Sequence, residues 1–185
     1  VQVPNLQELL DIYEKSWIDE WYQNAAQKEE YKRKGREYLK VWYESHNGVF
    51  PTPKYLERAF TLRLGEYRLK GAIDRIDATK EGVDIIDYKT GSKPKNARDV
   101  KKDQLYIYAL AAQEVLKEKV HSLIFYYLNE NEKIVVDPEE KDAEALKAEL
   151  LERIEEIRKS DFAATPDKRK CRTCDFNKIC EFRAS

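Results

Sequence analysis

Three successive stretches in the middle of this chain have the apolar composition of strands, bounded by turn residues. Tyr55–Leu64, Leu69–Ala78 and Val83–Lys89 are rich in β-branched and apolar side chains and read as strands. Gly65-Glu66 fits a tight two-residue turn into Tyr67, and Thr79-Lys80-Glu81-Gly82 supplies turn chemistry before the third strand. On either side the period is helical. Pro4 and Asn5 precede a helix over Leu6–Tyr22, with Leu6, Leu9, Leu10, Tyr13 and Trp17 on one stripe. A second helix is expected over Glu29–Ser45, burying Tyr31, Tyr38, Leu39, Val41 and Trp42, before a Gly/Pro-rich loop at Asn47–Pro53. At this spacing the aromatics are expected to pack as core, with base stacking as the alternative. Asp103–Lys117 predicts a helix with Asp103 near its start and a stripe of Leu105, Ala109, Ala112 and Leu116. Ser122–Leu128 reads as a buried strand with a short partner at Lys133–Val136. Pro138 is expected to open a long helix to about Lys159, burying Leu146, Leu150, Ile154 and Ile157. The order predicts an α/β fold, with helices flanking a mixed sheet of four to five strands.

The turns fix where charges fall. Centred on residues 79–82, the hairpin places Asp74 opposite Asp87, and the Gly65-Glu66 turn places Glu57 opposite Asp74. Because side chains alternate, Asp87 and Lys89 point one way and Tyr88 the other. A row of three carboxylates with an ammonium one step along is thus expected among Ile, Val and Ala. Such acids repel one another unless a cation or a shared proton relieves them, and hard oxygen ligands suit Mg²⁺ or Mn²⁺. The plainer reading is an exposed face that happens to carry charge.

Composition narrows the picture. The 185 residues suit one domain, divided into a helical part (1–50), a sheet and active-site core (51–137), a long helix and linker (138–170) and a Cys-rich tail (171–185). Lys+Arg 34 nearly cancels Asp+Glu 35, so a phosphate-binding surface must be local. The polar connection after the third strand offers one, through Lys93, Lys95, Arg98, Lys101 and Lys102. No apolar run reaches membrane-spanning length and no signal peptide is visible, which predicts a cytoplasmic protein. Met is absent, so Val1 is read as the start of a fragment or a trimmed chain.

All three cysteines, Cys171, Cys174 and Cys180, lie within ten residues. That spacing argues for a soft-metal site rather than a disulfide scaffold, although zinc or an iron–sulfur cluster wants a fourth ligand. His46 and His121 are the available imidazoles, and sequence places neither of them there.

The runs G-A-I-D-R-I-D (71–77), I-I-D-Y-K-T-G (85–91) and D-Q-L-Y-I-Y (103–108) together resemble the RecB-like branch of the PD-(D/E)XK nucleases. The resemblance implies a restriction-endonuclease-like core and a Mg²⁺- or Mn²⁺-dependent DNA nuclease. Asp74, Asp87 and the carbonyl of Tyr88 would be metal ligands, Lys89 would be catalytic, and Glu57 would be a further ligand or a partner of Lys89. It also implies that Gln104 and Tyr108 match a Q-x-x-x-Y motif that orients substrate, and that the three cysteines match part of a [4Fe–4S] ligand set whose fourth cysteine lies upstream. A G-x-x-x-H motif is expected upstream as well; Gly35 to Leu39 has its spacing, with Leu39 where His would stand. Single-stranded ends or duplex DNA would be the substrate. Exonuclease action in DNA repair, recombination or CRISPR adaptation, beside a helicase or adaptation proteins, would be the setting. Two rival readings are a catalytically silent DNA-binding module and an interaction domain stapled by a metal on its cysteines.

Overall fold

A computed structural model of the protein describes residues 3–96, 99–139, 141 and 143–184. Two turns set the sheet. Strands β1 (Pro53–Leu64) and β2 (Tyr67–Ala78) pair antiparallel from Leu64↔Tyr67 onward, with Gly65 at φ 59 supplying the left-handed residue a two-residue turn needs. At the next turn the Thr79 hydroxyl accepts from the N–H groups of Glu81 (3.2 Å) and Gly82 (3.0 Å). Strand β3 (Val83–Lys89) then returns with Ala78↔Val83 and Arg75↔Ile86. Both registers follow the sequence expectation. Gly82 is needed because a Cβ there would sit 2.2 Å from the carbonyl oxygen of Lys119.

The chain next crosses over through α3 (Asp103–Ala111), so that β4 (Val120–Tyr127) lies parallel to β3. β5 (Glu132–Val136) closes a mixed, five-stranded sheet of order β1-β2-β3-β4-β5. Its middle is dry: Ile73, Ile76, Ile85 and Leu123 are fully buried, each contributing about 1.5–3 kcal/mol. On one face Trp42 packs with Tyr88 against Ile86, Ile124 and Tyr126. α3 lies over the other, with Leu105, Tyr106 and Tyr108–Ala111 buried.

Several predicted boundaries shift. α1 (Leu6–Ser16) is capped by Asn5, in reciprocal hydrogen bonds with Glu8, but stops before Trp17. There the chain turns back and Trp17 stacks on Tyr22, centroids 5.7 Å apart. α2 (Ala25–Ser45) starts four residues early because Asn24 accepts from the Gln27 N–H. Tyr31 and Val41, expected in the core, are 54% and 41% exposed. α3 opens without a side-chain cap, Asp103 being its first residue, and passes at Ala112–Leu116 into one π-helical turn ended by left-handed Lys117. Pro138 sits in a turn in which Asp137 accepts from the Glu139 N–H (2.8 Å). α4 accordingly runs over Ala143–Lys159, burying Leu146 and leaving Ile157 53% exposed.

The chain divides into two compact units, residues 1–146 and 147–185. The second holds the rest of α4 and the short helix α5 (Lys168–Arg172), whose cap Asp167 accepts from the N–H groups of Arg169 and Lys170.

Candidate active site

The acids meet where the regular ladder gives way. Glu57 falls opposite Asp74, between the paired rows Arg58↔Ile73 and Leu56↔Arg75. Asp74 in turn lies one step beyond the row Arg75↔Ile86, opposite Asp87. Here a side chain substitutes for backbone pairing: the Tyr88 N–H donates to Asp74 Oδ2 at 2.9 Å. Glu57 adopts φ 45, a left-handed conformation that is uncommon for a residue with a Cβ and costs about 1–3 kcal/mol.

Asp87 and Lys89 share a face, as alternation requires. Asp87 is 2% exposed, and Lys89 Nζ stands 2.6 Å from its Oδ2. At that distance the ammonium is the donor to this buried oxygen. Burial pushes the Asp87 carboxyl above its ordinary range; Lys89 pulls the other way and Asp74 adds to the rise. Lys89 Nζ also donates to Gln104 Oε1 at 2.7 Å and lies 5.1 Å from the centre of the Phe125 ring. Gln104 Nε2 then donates to the Tyr108 hydroxyl at 2.8 Å. Burial holds the Tyr108 hydroxyl above its usual range against the Gln104 hydrogen bond, and Asp87, Asp74 and Glu57 each add to the rise. The Tyr108 ring packs edge-on against Phe60, and Phe60 occupies the space beside Gly71 where a Cβ would come within 2.7 Å. Phe60 of β1 thus backs Tyr108 on α3, and Tyr108 with Gln104 holds the ammonium in place.

Tyr88 points away, its ring 5.7 Å from Tyr126 and its hydroxyl 3.4 Å from Arg75 Nη1. Arg75 is a residue the sequence reading passed over. It is buried, donates Nε to Asp77 (2.8 Å) and Nη2 to the Pro51 carbonyl (2.9 Å), and braces β2 behind Asp74. The available signal was Asp77 two residues on, sharing its face of the strand.

Lys93 is engaged: its N–H donates to Glu130 Oε2 at 3.3 Å and its ammonium pairs with Glu132. Lys95 is exposed, and Arg98 lies outside the described residues. Gly35 has a packing reason, because a Cβ would fall 2.2 Å from the Tyr13 hydroxyl, which donates to the Lys32 carbonyl across α1 and α2.

Among the described residues no three His, Cys, Asp or Glu side chains converge to hold an ion. Asp74 and Asp87 are close enough to influence each other electrostatically. The donor chemistry still fits Mg²⁺ or Mn²⁺, which take one or two carboxylates and complete their shell with water. Among the described residues the cysteines form no group of three metal-ligating side chains. Cys171 sits on α5 and its Sγ accepts from the Ala184 N–H (3.4 Å), Cys174 is exposed on the following turn, and Cys180 ends the next. All three are free thiols. His46 is held at the Trp42 carbonyl (2.7 Å) and His121 at Asp84 (2.9 Å).

No helix among the described residues is long and apolar enough to cross a membrane. Among curated proteins, none matches this chain. One solved structure, titled "Crystal structure of SSO0001", is 19% identical, covers 97% of this chain and 95% of its own, and superposes with a TM-score of 0.47. The profile of the PD-(D/E)XK nuclease superfamily, whose members are generally metal-dependent nucleases, matches residues 2–181. With a mixed five-stranded sheet between helices and a match over nearly its whole length, the chain belongs to the PD-(D/E)XK nuclease superfamily.

Proposed function

We propose that the protein is a divalent-metal-dependent deoxyribonuclease whose chemistry lies on the β2–β3 hairpin. The observation that carries this is the Lys89 ammonium, held between buried Asp87 and Gln104 one strand away from Asp74. Asp74, Asp87 and the Tyr88 carbonyl would hold Mg²⁺ or Mn²⁺, and Glu57 would reach the ion through water. When bound, such an ion lowers the pKa of a coordinated water and neutralises charge on the phosphate. Lys89 orients the attacking water and donates to the phosphoryl oxygen on which charge develops. Gln104 holds Lys89 with its carbonyl oxygen and Tyr108 with its amide, so the ammonium is aimed before substrate arrives. Lys95 and the rest of the loop after β3 would contact backbone phosphates. End-directed cleavage of DNA, in repair, recombination or CRISPR adaptation with a helicase or adaptation proteins, is supported by the motif resemblance.

A second reading has one observation in its favour. Among the described residues no group of three His, Cys, Asp or Glu side chains is placed to hold an ion, as expected for a DNA-binding module with a silent centre. Labelled single- and double-stranded DNA incubated with Mg²⁺ or Mn²⁺ separates the two. Cleavage by the parent but not by Asp87→Ala or Lys89→Ala supports the nuclease. Binding without cleavage by a folded parent supports the silent module.

A further inference from the structure

Beyond the end of β3 lies a groove of about 520 Å³, within the ~300–1,000 Å³ range of small-ligand sites. One wall is Thr90, Gly91 and Ser92, the three residues that follow Lys89. The other is aromatic, formed by Tyr13, Trp17, Tyr22, Tyr31 and Tyr38 of the two N-terminal helices and the segment between them. We propose that this groove is a nucleobase-stacking subsite that receives an unpaired base of a single-stranded substrate next to the phosphate held at Lys89.

Four observations carry the assignment. First, the rings were expected to be core, yet none of these five is buried and Tyr31 is 54% exposed. An exposed aromatic wall is unusual for packing and ordinary for stacking, since every base has a π-face. Second, the rings present faces as well as edges. Trp17 and Tyr22 lie parallel within 9°, Tyr13 meets Trp17 edge-on at 5.5 Å, and Tyr31 stands 6.1 Å from Tyr22. Third, the indole N–H of Trp17, on the groove wall, meets no acceptor among the described residues. Fourth, the groove sits at the C-terminal ends of the parallel strands β3 and β4, touching Thr90 and Asn129, where open α/β sheets place their ligands. Gly91 leaves open space where a Cβ would stand. Lys34 adds a cation at the rim, 5.7 Å from the centre of the Tyr31 ring and paired with Glu30.

A paired base is stacked on both sides and cannot enter such a groove without being freed, so the subsite selects single strands or frayed ends. Placing the base beside the phosphate at Lys89 rests on the nuclease reading; the stacking itself does not.

The test is binding in EDTA, where no cleavage occurs, to a fluorescein-labelled oligodeoxythymidylate. The comparison probes are the same strand carrying abasic sites and a blunt duplex of equal length. Tyr31→Ala should weaken binding of the intact strand by about five-fold or more. Tyr31→Phe should bind like the parent, and the abasic strand should lose its sensitivity to Tyr31→Ala. Tyr31 is exposed enough for its truncation to leave the fold standing, and Trp fluorescence quenched by the intact strand but not by the abasic one gives a second readout. The subsite is overturned if Tyr31→Ala binds like the parent. It is equally overturned if the loss is as large on the abasic strand, or if the duplex binds tighter with no dependence on the ring. Ring-dependent binding in a parent that never cleaves DNA with Mg²⁺ or Mn²⁺ would sink the nuclease reading and leave the stacking site. Cleavage with no ring dependence would do the reverse.

Discussion

The β2–β3 hairpin and the cysteine segment are both short runs dense in metal-loving side chains, yet they fold into opposite kinds of environment. In the hairpin, Asp87 is buried, Asp74 hydrogen-bonds the neighbouring strand and Lys89 is gripped by two partners. In residues 171–180 the hydrogen bonds among the described residues are local, reaching no further than Asp167 and Ala184, and Phe176 and Ile179 stand exposed beside the cysteines. Ligand-type residues close in sequence become a site only when longer-range structure converges them. Pairing three strands brings residues 57, 74 and 87 into one row, which no local turn could do.

The sharpest way to break this contrast is to remove the ammonium. Lys89→Ala should lower the single-turnover cleavage rate by about 10²–10³ with the fold unchanged, the size expected for loss of one preorganised donor. A tenfold effect would reduce Lys89 to a positioning role and leave the hairpin no more functional than the tail. The next largest effect should be on the scaffold. Gly82→Ala drives a Cβ into the Lys119 carbonyl at a backbone φ of 155, so it should cost about 2–4 kcal/mol. Thermal unfolding would register this as a fall of roughly 2–4 °C per kcal/mol. An unchanged Tm would mean that the β2–β3 turn is not what sets the register of the acids.

How much of this was legible follows from how local each determinant is. The rows of acids could be read because two short turns and strict alternation are sequence-near properties, and both turns kept their register. The left-handed backbone of Glu57 could not be read, since nothing in Leu-Glu-Arg asks for φ 45. The end of α1 depended on Trp17 turning to stack with Tyr22, and the exposure of Tyr31 on what the surrounding helices leave open. The Gln104–Tyr108 spacing was visible, whereas its use became clear only when α3 crossed over β3 and met Lys89. Arg75 was missed because two of its three partners, Tyr88 and the Pro51 carbonyl, are distant in sequence.

A smaller effect tests the electrostatics. Burial raises the Asp87 carboxyl above its unfolded value of about 3.9, so ionised Asp87 costs stability above the folded pKa. Below the unfolded value both states are protonated and the cost disappears. Asp87→Asn should therefore raise Tm modestly at neutral pH, and the gain should shrink as pH falls and vanish below about 3.9. Mg²⁺ or Mn²⁺ should raise the Tm of the parent and leave the variant unmoved, because only the parent offers the second carboxylate. A variant less stable than the parent at neutral pH without metal would show that the Lys89 pair outweighs the burial of the charge.

The smallest expected effect belongs to the tail. Cys174 is exposed, and its two hydrogen bonds, N–H to the Cys171 carbonyl (3.3 Å) and carbonyl from the Asn177 N–H (3.0 Å), are backbone bonds that Ser keeps. Cys174→Ser should therefore change stability by no more than about 0.5 kcal/mol, as surface substitutions do. A structural metal would make a very different mark, since thiolate coordination contributes on the order of 10 kcal/mol or more to folding. A steep fall in Tm on Cys174→Ser, together with stoichiometric zinc or iron in the purified parent, would show that the thiols converge after all. The tail would then be the more tightly built of the two regions, with long-range closure supplied by the metal where the acids have the sheet.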